Sequence, residues 1–303
     1  MGPRDLGALL LLGALWGASY MFIRVAVPAL GPFTLMGLRV ALAASILALY
    51  AAVLARGMPK LRSRWKEFLI VGATNSAIPF SLIAAAEIEL TASLAAILNS
   101  TTALFTAVVA AAWIGEALTM RKIFGLVLGL AGVAVLVGWD PVPLSGIVLL
   151  SVGAMLVASL SYAIGGVYVK RTFAGVPPLA MAIGQHAGAA LLLLPLAAVS
   201  LPAEAPPLPA ALCALALTLL STALAYLLYF RLIENVGPTK TLTVTFLIPF
   251  FGLLFGVLLL GEPIGVGTLV GFGIILYSVA LVTEIRLGGA GGAKGEDHPP
   301  SRG

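Results

Sequence analysis

Ten stretches of about 20 apolar residues follow one another along the chain, and they constrain its fold more than any other feature. A helix of about 20 apolar residues is long enough to cross the ~30 Å hydrocarbon core of a bilayer. Only 10% of the residues are charged, whereas soluble domains carry about 25%. The sequence therefore predicts an all-α polytopic membrane protein. Its ten expected transmembrane helices lie at 6–28, 33–55, 68–87, 92–114, 119–138, 146–170, 178–201, 208–231, 239–260 and 264–286.

Two short stretches indicate that the chain repeats itself with an offset of 146 residues. "WIGEALTMRKIFG" at 113–125 and "LLGEPIGVGTLVG" at 259–271 place Glu262 on Glu116, each preceded by a glycine. Each glutamate is expected to begin the first turn of the last helix in its half, where an acid interacts favourably with the helix dipole. Pro263 suits the first helical position of the second copy. A direct role of the two acids in transport is the alternative.

The basic residues indicate the orientation of the helices. When the N-terminus is placed in the cytoplasm, 15 of the 17 Lys and Arg fall on the cytoplasmic side, in agreement with the positive-inside rule. Each half then holds five helices, and this odd number inverts the second half relative to the first. We expect a first five-helix repeat at 1–138, a second, inverted repeat at 146–286 and a disordered cytoplasmic tail at 287–303. The protein is expected to span the inner membrane many times, with both termini in the cytoplasm.

Polar and aromatic side chains recur on single faces of helices one, three, four, six, eight and nine, and the repeat relates the first three to the last three. These six helices are expected to line a central polar cavity, with the other four as an outer scaffold. The candidate substrate-binding residues are Trp16, Tyr20, Asn75, Asn99, Tyr162 and Tyr226. Packing between neighbouring helices is the alternative for each of them. Pro79 and Pro249 are candidate hinges, because proline bends a helix.

The candidates for proton coupling or gating are ionisable side chains within the expected spans: His186, Glu87, Arg24 and Arg39. Ionisable groups inside a membrane are expensive and often functional, and the pKa of histidine lies near neutrality. The structural alternatives are arginines that reach the headgroups or pair with Glu87 or Glu89, and a packed, neutral histidine.

Glycines spaced by four residues or fewer mark helices five and ten, where we expect the two helices to pack closely together. The glycines are Gly125, Gly129 and Gly132 in helix five and Gly267, Gly271 and Gly273 in helix ten. A monomer is the expected working unit. A homodimer through one of these faces is the alternative.

Sequence motifs of common enzyme classes are missing from the chain. It contains no H-E-x-x-H, no G-x-S-x-G and no P-loop. With two histidines and one cysteine, it also has little material for a metal site. We therefore expect no catalytic residue, no metal, no cofactor and no nucleic-acid partner. The expected partners are the lipid bilayer and a small-molecule substrate, and protons are a candidate co-substrate.

Several motifs resemble those of a known superfamily. They are "ALWGASYMFIRVAV" at 14–27, "PFTLMGLRVALAA" at 32–44 and the two Gly-Glu stretches described above. Over residues 5–286 the chain resembles the EamA-type ten-helix transporters of the drug/metabolite transporter superfamily, in which Trp16, Arg24 and Arg39 match family features. At "ASLSYAIGG" the second copy lacks the tryptophan that the family often carries.

The resemblance implies a secondary transporter that moves small metabolites, amino acids or drugs through a central cavity by alternating access. It also implies export or exchange, by a proton-linked or facilitated route. A flippase for lipids or lipid-linked precursors is the alternative from another functional class.

Overall fold

The computed structural model describes residues 1–53, 62–139 and 145–283, which contain helices and short connections and no strand. The expected tail at 287–303 lies outside these described residues. The ten apolar helices are α1 (Pro3–Leu30), α2 (Pro32–Val53), α3 (Trp65–Ala86), α4 (Ala92–Ile114), α5 (Met120–Gly138), α6 (Gly146–Thr172), α7 (Pro178–Val199), α8 (Leu208–Val236), α9 (Val244–Leu260) and α10 (Val266–Val282). Eight of them are long enough to cross a membrane, and the last two have 17 residues each. The predicted ten-helix, all-α membrane fold is confirmed.

Two helices contain one wider, π-type turn each, at Ala73–Ala77 in α3 and at Leu219–Leu224 in α8. The two turns begin 146 residues apart, which is the offset of the repeat. Wider turns of this kind are often found at functional sites. Here they lie within two of the six helices that were expected to line the cavity.

Side-chain hydroxyls donate hydrogen bonds to backbone carbonyl oxygens in and beside these wider turns. Thr222 donates to the Leu217 carbonyl oxygen at 2.9 Å, and Ser161 of α6 donates to the Thr74 carbonyl oxygen at 2.8 Å. Pro79 follows the turn in α3 and has no N–H with which to bond a carbonyl one turn earlier. Backbone groups inside a membrane must find partners within the protein, and Ser161 supplies one from the other half of the chain.

The main helix contacts have an internal symmetry: each of them is repeated by the corresponding helices of the other half. Helix α1 packs on α8 and α9, just as α6 packs on α3 and α4. Helix α2 packs on α7, and α5 packs on α10; each of these pairs consists of two equivalent helices, one from each half. Most of the packing therefore joins helices of different halves.

Helices α5 and α10 approach each other closely through small residues, as the sequence predicted. A Cβ atom built on Gly132 would lie 2.8 Å from the Ile275 side chain, and one on Gly271 would lie 2.8 Å from Cβ of Leu136. Only glycine fits at such positions. Gly273, which was expected to share this role, faces open space instead.

The prediction for Glu116 and Glu262 was wrong in one respect. Helices α5 and α10 begin four residues after these glutamates, at Met120 and Val266, so neither acid lies in a first helical turn. Pro263 likewise precedes α10 rather than starting it. An extended connection separates each acid from the helix that follows, and both glutamates contact other parts of the bundle.

The register of the repeat is visible in the backbone before each glutamate. Gly115 and Gly261 end α4 and α9 in left-handed conformations, with φ of 71° and 67°. The N–H groups of the next residues, Glu116 and Glu262, bond carbonyl oxygens six residues back. Glycine adopts this conformation without a steric penalty, which explains why it precedes the acid in both copies.

Candidate functional site

The buried charge of Arg39 lies where α2, α3 and α8 meet. Arg39 is 6% exposed; its Nε donates to Thr222 Oγ1 at 2.9 Å, and its guanidinium carbon lies 3.9 Å from the centre of the Phe80 ring. Thr222 belongs to the wider turn of α8. Among the described residues, no acidic side chain lies within ion-pair distance of Arg39. A hydroxyl and an aromatic face hold the positive charge instead.

Tyr226 is the centre of an aromatic cluster that joins α1, α7 and α8. Its ring centre lies 6.0 Å from that of Trp16 and 4.8 Å from that of His186, which meets it edge-on at 90°. Gln185 donates to the Tyr226 hydroxyl at 3.1 Å and to Ser76 Oγ at 3.0 Å. Ser76 lies in the wider turn of α3, so Gln185 connects that turn to the cluster.

Tyr20, Asn99 and Tyr162 form a second group of candidate residues near Arg39 and Phe80. Tyr20 is buried with its hydroxyl close to the Asn99 side chain. Tyr162 is half-buried, and its ring centre is 6.3 Å from that of Phe80. The Asn99 side-chain oxygen is buried without a hydrogen-bond partner in the described part of the chain.

Asn75 occupies the contact between α3 and α6. A Cβ atom built on Gly165 of α6 would collide with the Asn75 side chain and lie 2.7 Å from Thr74 Oγ1. Asn75 is half-buried. Close helix packing therefore determines its position within the wider turn of α3.

The remaining ionisable candidates differ in how they are held. Arg24 donates to the backbone carbonyl oxygens of Glu87 and Ile88, the second at 2.8 Å. It forms no ion pair with a carboxylate of the described residues. Glu87 is fully buried, and neither of its carboxylate oxygens has a hydrogen-bond partner there. His186 is also fully buried; its Nδ1 lies 2.8 Å from the Ala182 carbonyl oxygen, and its Nε2 has no described partner.

One end of the bundle is closed by Glu262. Its carboxylate accepts hydrogen bonds from the backbone N–H groups of Ala92 and Ser93, at 2.7 and 2.9 Å, and from the Ser93 hydroxyl at 2.5 Å. These N–H groups are the free donors at the start of α4, where a negative charge is favourable. A Cβ atom built on Gly256 of α9 would collide with both side chains. The two halves are therefore in close contact at this end.

The other end of α4 borders a cavity of about 340 Å³. Thr106 of α4, Gly166 of α6 and Leu242, just before α9, are among the residues that line it. At its edge Lys170 donates to Glu116 Oε1 at 2.6 Å. This hydrogen bond lowers the pKa of the Glu116 carboxyl below its ordinary value, because it stabilises the ionised form. The equivalent glutamates thus face a closed end and an open end.

The structure brings Trp16, Arg39, His186 and Tyr226 into one cluster around the wider turns. Helices α2 and α7, which were assigned to an outer scaffold, supply Arg39 and His186 to it, so that assignment was wrong for these two helices.

Sequence reasoning did not select Ser76, Phe80, Gln185 and Thr222 as site residues. The last three touch candidates directly, and Ser76 is bonded to Gln185. Gln185 offered a signal, because it is an amide next to a histidine in an otherwise apolar helix. No group of three or more His, Cys, Asp or Glu side chains within the described ranges is placed to bind a metal ion.

Known proteins resemble the chain over nearly its whole length. It is 31% identical to an uncharacterized inner membrane transporter, YedA of Escherichia coli K12, over 91% of this chain and 90% of the relative. It is 27% identical to the uncharacterized transporter YvbV of Bacillus subtilis, over 92% of both chains. A solved crystal structure with 20% identity superimposes with a TM-score of 0.65 and covers 94% of this chain and 98% of the other. That likeness shows the same fold.

The sequence profile of the EamA-like transporter family matches residues 6–138 and, a second time, residues 149–284. The two matches cover both sets of five helices and leave only the connection between them and the chain ends. They agree with the duplicated π-type turns and the duplicated glycine–glutamate ends. The chain is a multi-pass membrane transporter and belongs to the EamA-like transporter family.

Proposed function

We propose that the protein is a secondary transporter that exports small organic solutes, such as metabolites, amino acids or drugs, across the cytoplasmic membrane. The observation that carries the proposal is the buried cluster around Arg39 and Tyr226, which helices from both halves build inside an otherwise apolar bundle. Polar and ionisable groups buried in a membrane protein usually mark the path of a substrate or an ion. The candidate binding residues are Trp16, Tyr20, Asn75, Asn99, Tyr162 and Tyr226.

The transport mechanism that we propose is alternating access between two inverted repeats, 1–138 and 146–286. The difference between the two ends supports it: Glu262 closes one end, whereas the equivalent Glu116 borders a cavity at the other. With both termini in the cytoplasm, as the basic residues suggest, this cavity opens to the cytoplasm.

Hinges at Pro79 and Pro249 and at the two π-type turns would allow the helices around the cluster to bend. Pro79 lies two residues after the turn in α3, and Pro249 lies inside α9. For proton coupling we propose Glu87 first and His186 second. Arg24, which is bonded to backbone carbonyl groups, fits a positioning role at the closed end better than a role in coupling.

The proposal is tested with purified protein reconstituted into liposomes. A thermal-stability screen with amino acids, purines, sugars and quaternary ammonium compounds finds a ligand first, because a ligand at about a hundred times its Kd stabilises the native state by about 2.7 kcal/mol. Flux of that ligand is then measured with and without a pH gradient. We expect Tyr226→Ala to reduce the flux at least about tenfold.

Tyr277→Ala is the matched control, because Tyr277 lies on the outer face of α10 and is 57% exposed. Its flux should equal that of the wild type. Equal flux in Tyr226→Ala and wild type would contradict the proposed site. Scrambling of fluorescent lipid without any solute flux would replace the transporter proposal with the flippase alternative.

A further inference from the structure

Arg39 carries a positive charge that no acidic side chain of the described residues neutralises by direct contact. We infer that the substrate is an organic anion whose carboxylate pairs with the guanidinium of Arg39 and whose flat, apolar part lies against Trp16 and Tyr226. This inference rests on the proposed transport function and specifies its substrate class. A buried charge without a partner is costly, and a bound anion would provide the partner.

The geometry leaves part of the guanidinium available. Nε is bonded to Thr222, one flat face lies against Phe80, and Nη1 reaches only the weak acceptor Sδ of Met36, at 3.9 Å. Nη2 has no described hydrogen-bond partner. It is also not one of the unpartnered side-chain atoms that are sealed from solvent. Arginine presents paired N–H groups that suit a carboxylate, and one of its two terminal nitrogens is free for this purpose.

Glu87 is the acid to consider as a competing partner, since it interacts with Arg39 electrostatically. Its two carboxylate oxygens have no hydrogen-bond partner among the described residues, so it does not bond the guanidinium. Arg24 interacts with Glu87 as well. Two arginines therefore face one buried acid, and this imbalance favours an anionic guest.

The aromatic side chains lie within reach of the same guest. Thr222 and Tyr226 are four residues apart on α8 and thus share a face of that helix; Thr222 holds Arg39, and Tyr226 contacts Trp16. Tyr229 adds a third ring, 5.5 Å from Trp16. Aromatic faces contribute large apolar contact areas, so the arrangement fits an aromatic or otherwise flat carboxylate better than a sugar.

The experiment compares pairs of compounds that differ only in the carboxylate. Purified protein in lipid nanodiscs is titrated with phenylacetate and phenylacetamide, and with indole-3-acetate and indole-3-acetamide. We expect the carboxylates to raise the melting temperature and the amides to have no effect. Arg39→Gln should weaken carboxylate binding roughly ten- to a hundredfold, the range of a charged hydrogen bond, whereas Arg39→Lys should retain part of the affinity.

Arg64→Gln is the matched control, because Arg64 also lies over an aromatic ring, that of Phe173, but its described contacts include no residue of the cluster. It should bind the carboxylates like the wild type. If Arg39→Gln does not fold, the comparison between Arg39→Lys and Arg64→Gln decides the question, since only the first should change the affinity. Equal affinity in both variants, or equal binding of acids and amides, would overturn the inference.

Flux measurements separate this inference from the proposed function. Flux of a neutral or cationic solute that is unchanged in Arg39→Gln overturns the anion inference and leaves the transporter standing. Lipid scrambling without solute flux overturns both.

Discussion

Glu262 and Ser93 join the two halves of the chain, because the Glu262 carboxylate accepts hydrogen bonds from both the backbone N–H and the hydroxyl of Ser93. The two residues lie at the end of α9 and the start of α4, on the closed end of the bundle. A helix start that is capped by its own side chain closes nothing. Thr91 caps only the Leu94 N–H locally, whereas the acceptor for the Ala92 and Ser93 N–H groups comes from the connection after α9, so forming these bonds brings α4 and the end of α9 together.

Replacing Glu262 by alanine should destabilise this state of the protein by about 1–3 kcal/mol, because it removes a charged acceptor from three donors. Glu262→Gln should lose less, since its amide oxygen still accepts. The measurement is reversible unfolding in mixed micelles. Glu116→Gln is the control, since Glu116 is the equivalent acid and has one exposed partner, Lys170. If it lost as much stability as Glu262→Ala, the contacts of Glu262 would not stabilise the protein more than those of Glu116.

Gly188→Ala should disturb the contact between α7 and α3. Its new Cβ atom would lie within 3.1 Å of Cα of Leu69 and closer still to the Phe68 backbone, which cannot move as a flexible side chain can. Overpacking of this kind typically costs about 1–3 kcal/mol, and the melting temperature in detergent measures it. Gly153→Ala on α6 meets no atom within 4 Å and should be neutral or slightly stabilising. The order of the two variants is the test.

Glu87→Gln should abolish the effect of a pH gradient on transport while counterflow exchange continues. An enclosed acid such as Glu87, whose carboxylate has no hydrogen-bond partner in the described part of the chain, can take up and release a proton as its surroundings change. Glutamine cannot. Proteoliposome flux at matched inside and outside pH, and then with a gradient, separates the two effects. His186→Gln tests the second candidate. If the response to the gradient persists in Glu87→Gln and is lost in His186→Gln, the assignment is reversed.

The ion pair between Glu116 and Lys170 predicts a small dependence of stability on pH. The Lys170 hydrogen bond holds the pKa of the Glu116 carboxyl below its ordinary value of 4.5, so its contribution is complete above that pH and is lost as the pH falls through the lowered pKa. The side chains are 40% and 65% exposed, and the pair should contribute less than about 1 kcal/mol.

Unfolding of the wild type and Glu116→Gln should therefore differ slightly at pH 7 and coincide well below pH 4.5. In a Lys170→Gln background the difference should also vanish at neutral pH. A difference that grows as the pH falls would contradict this account of the pair.

The sequence predicted the ten helices and the register of the repeat, because both depend on local patterns. Glycine before glutamate at positions 115 and 261 predicted equivalent structures, and both glycines adopt the left-handed conformation. The fate of the glutamates was not predictable in the same way. It depends on which helix end lies opposite each connection, and that is a property of packing between distant segments.

The central cluster was predicted in part for a similar reason. Helical spacing selected Trp16 and Tyr226, which lie on polar stripes, but it left Gln185 out because α7 has no stripe. Neither π-type turn has a sequence signature that we could have used, although each changes which side chains of α3 and α8 face inward. Thr222 reaches Arg39 from such a turn.

The hydrogen bond from Ser161 to the Thr74 carbonyl oxygen ties a helix of one half to a helix of the other. Separating α3 from α6 would leave that carbonyl without a partner, at a cost of about 1–3 kcal/mol. The two helices should therefore travel together as one rigid body while the rest of the bundle moves around them. The irregular turn in α3 thus interrupts the regular hydrogen bonding of its own helix and at the same time couples the motions of the two halves through its bond to α6.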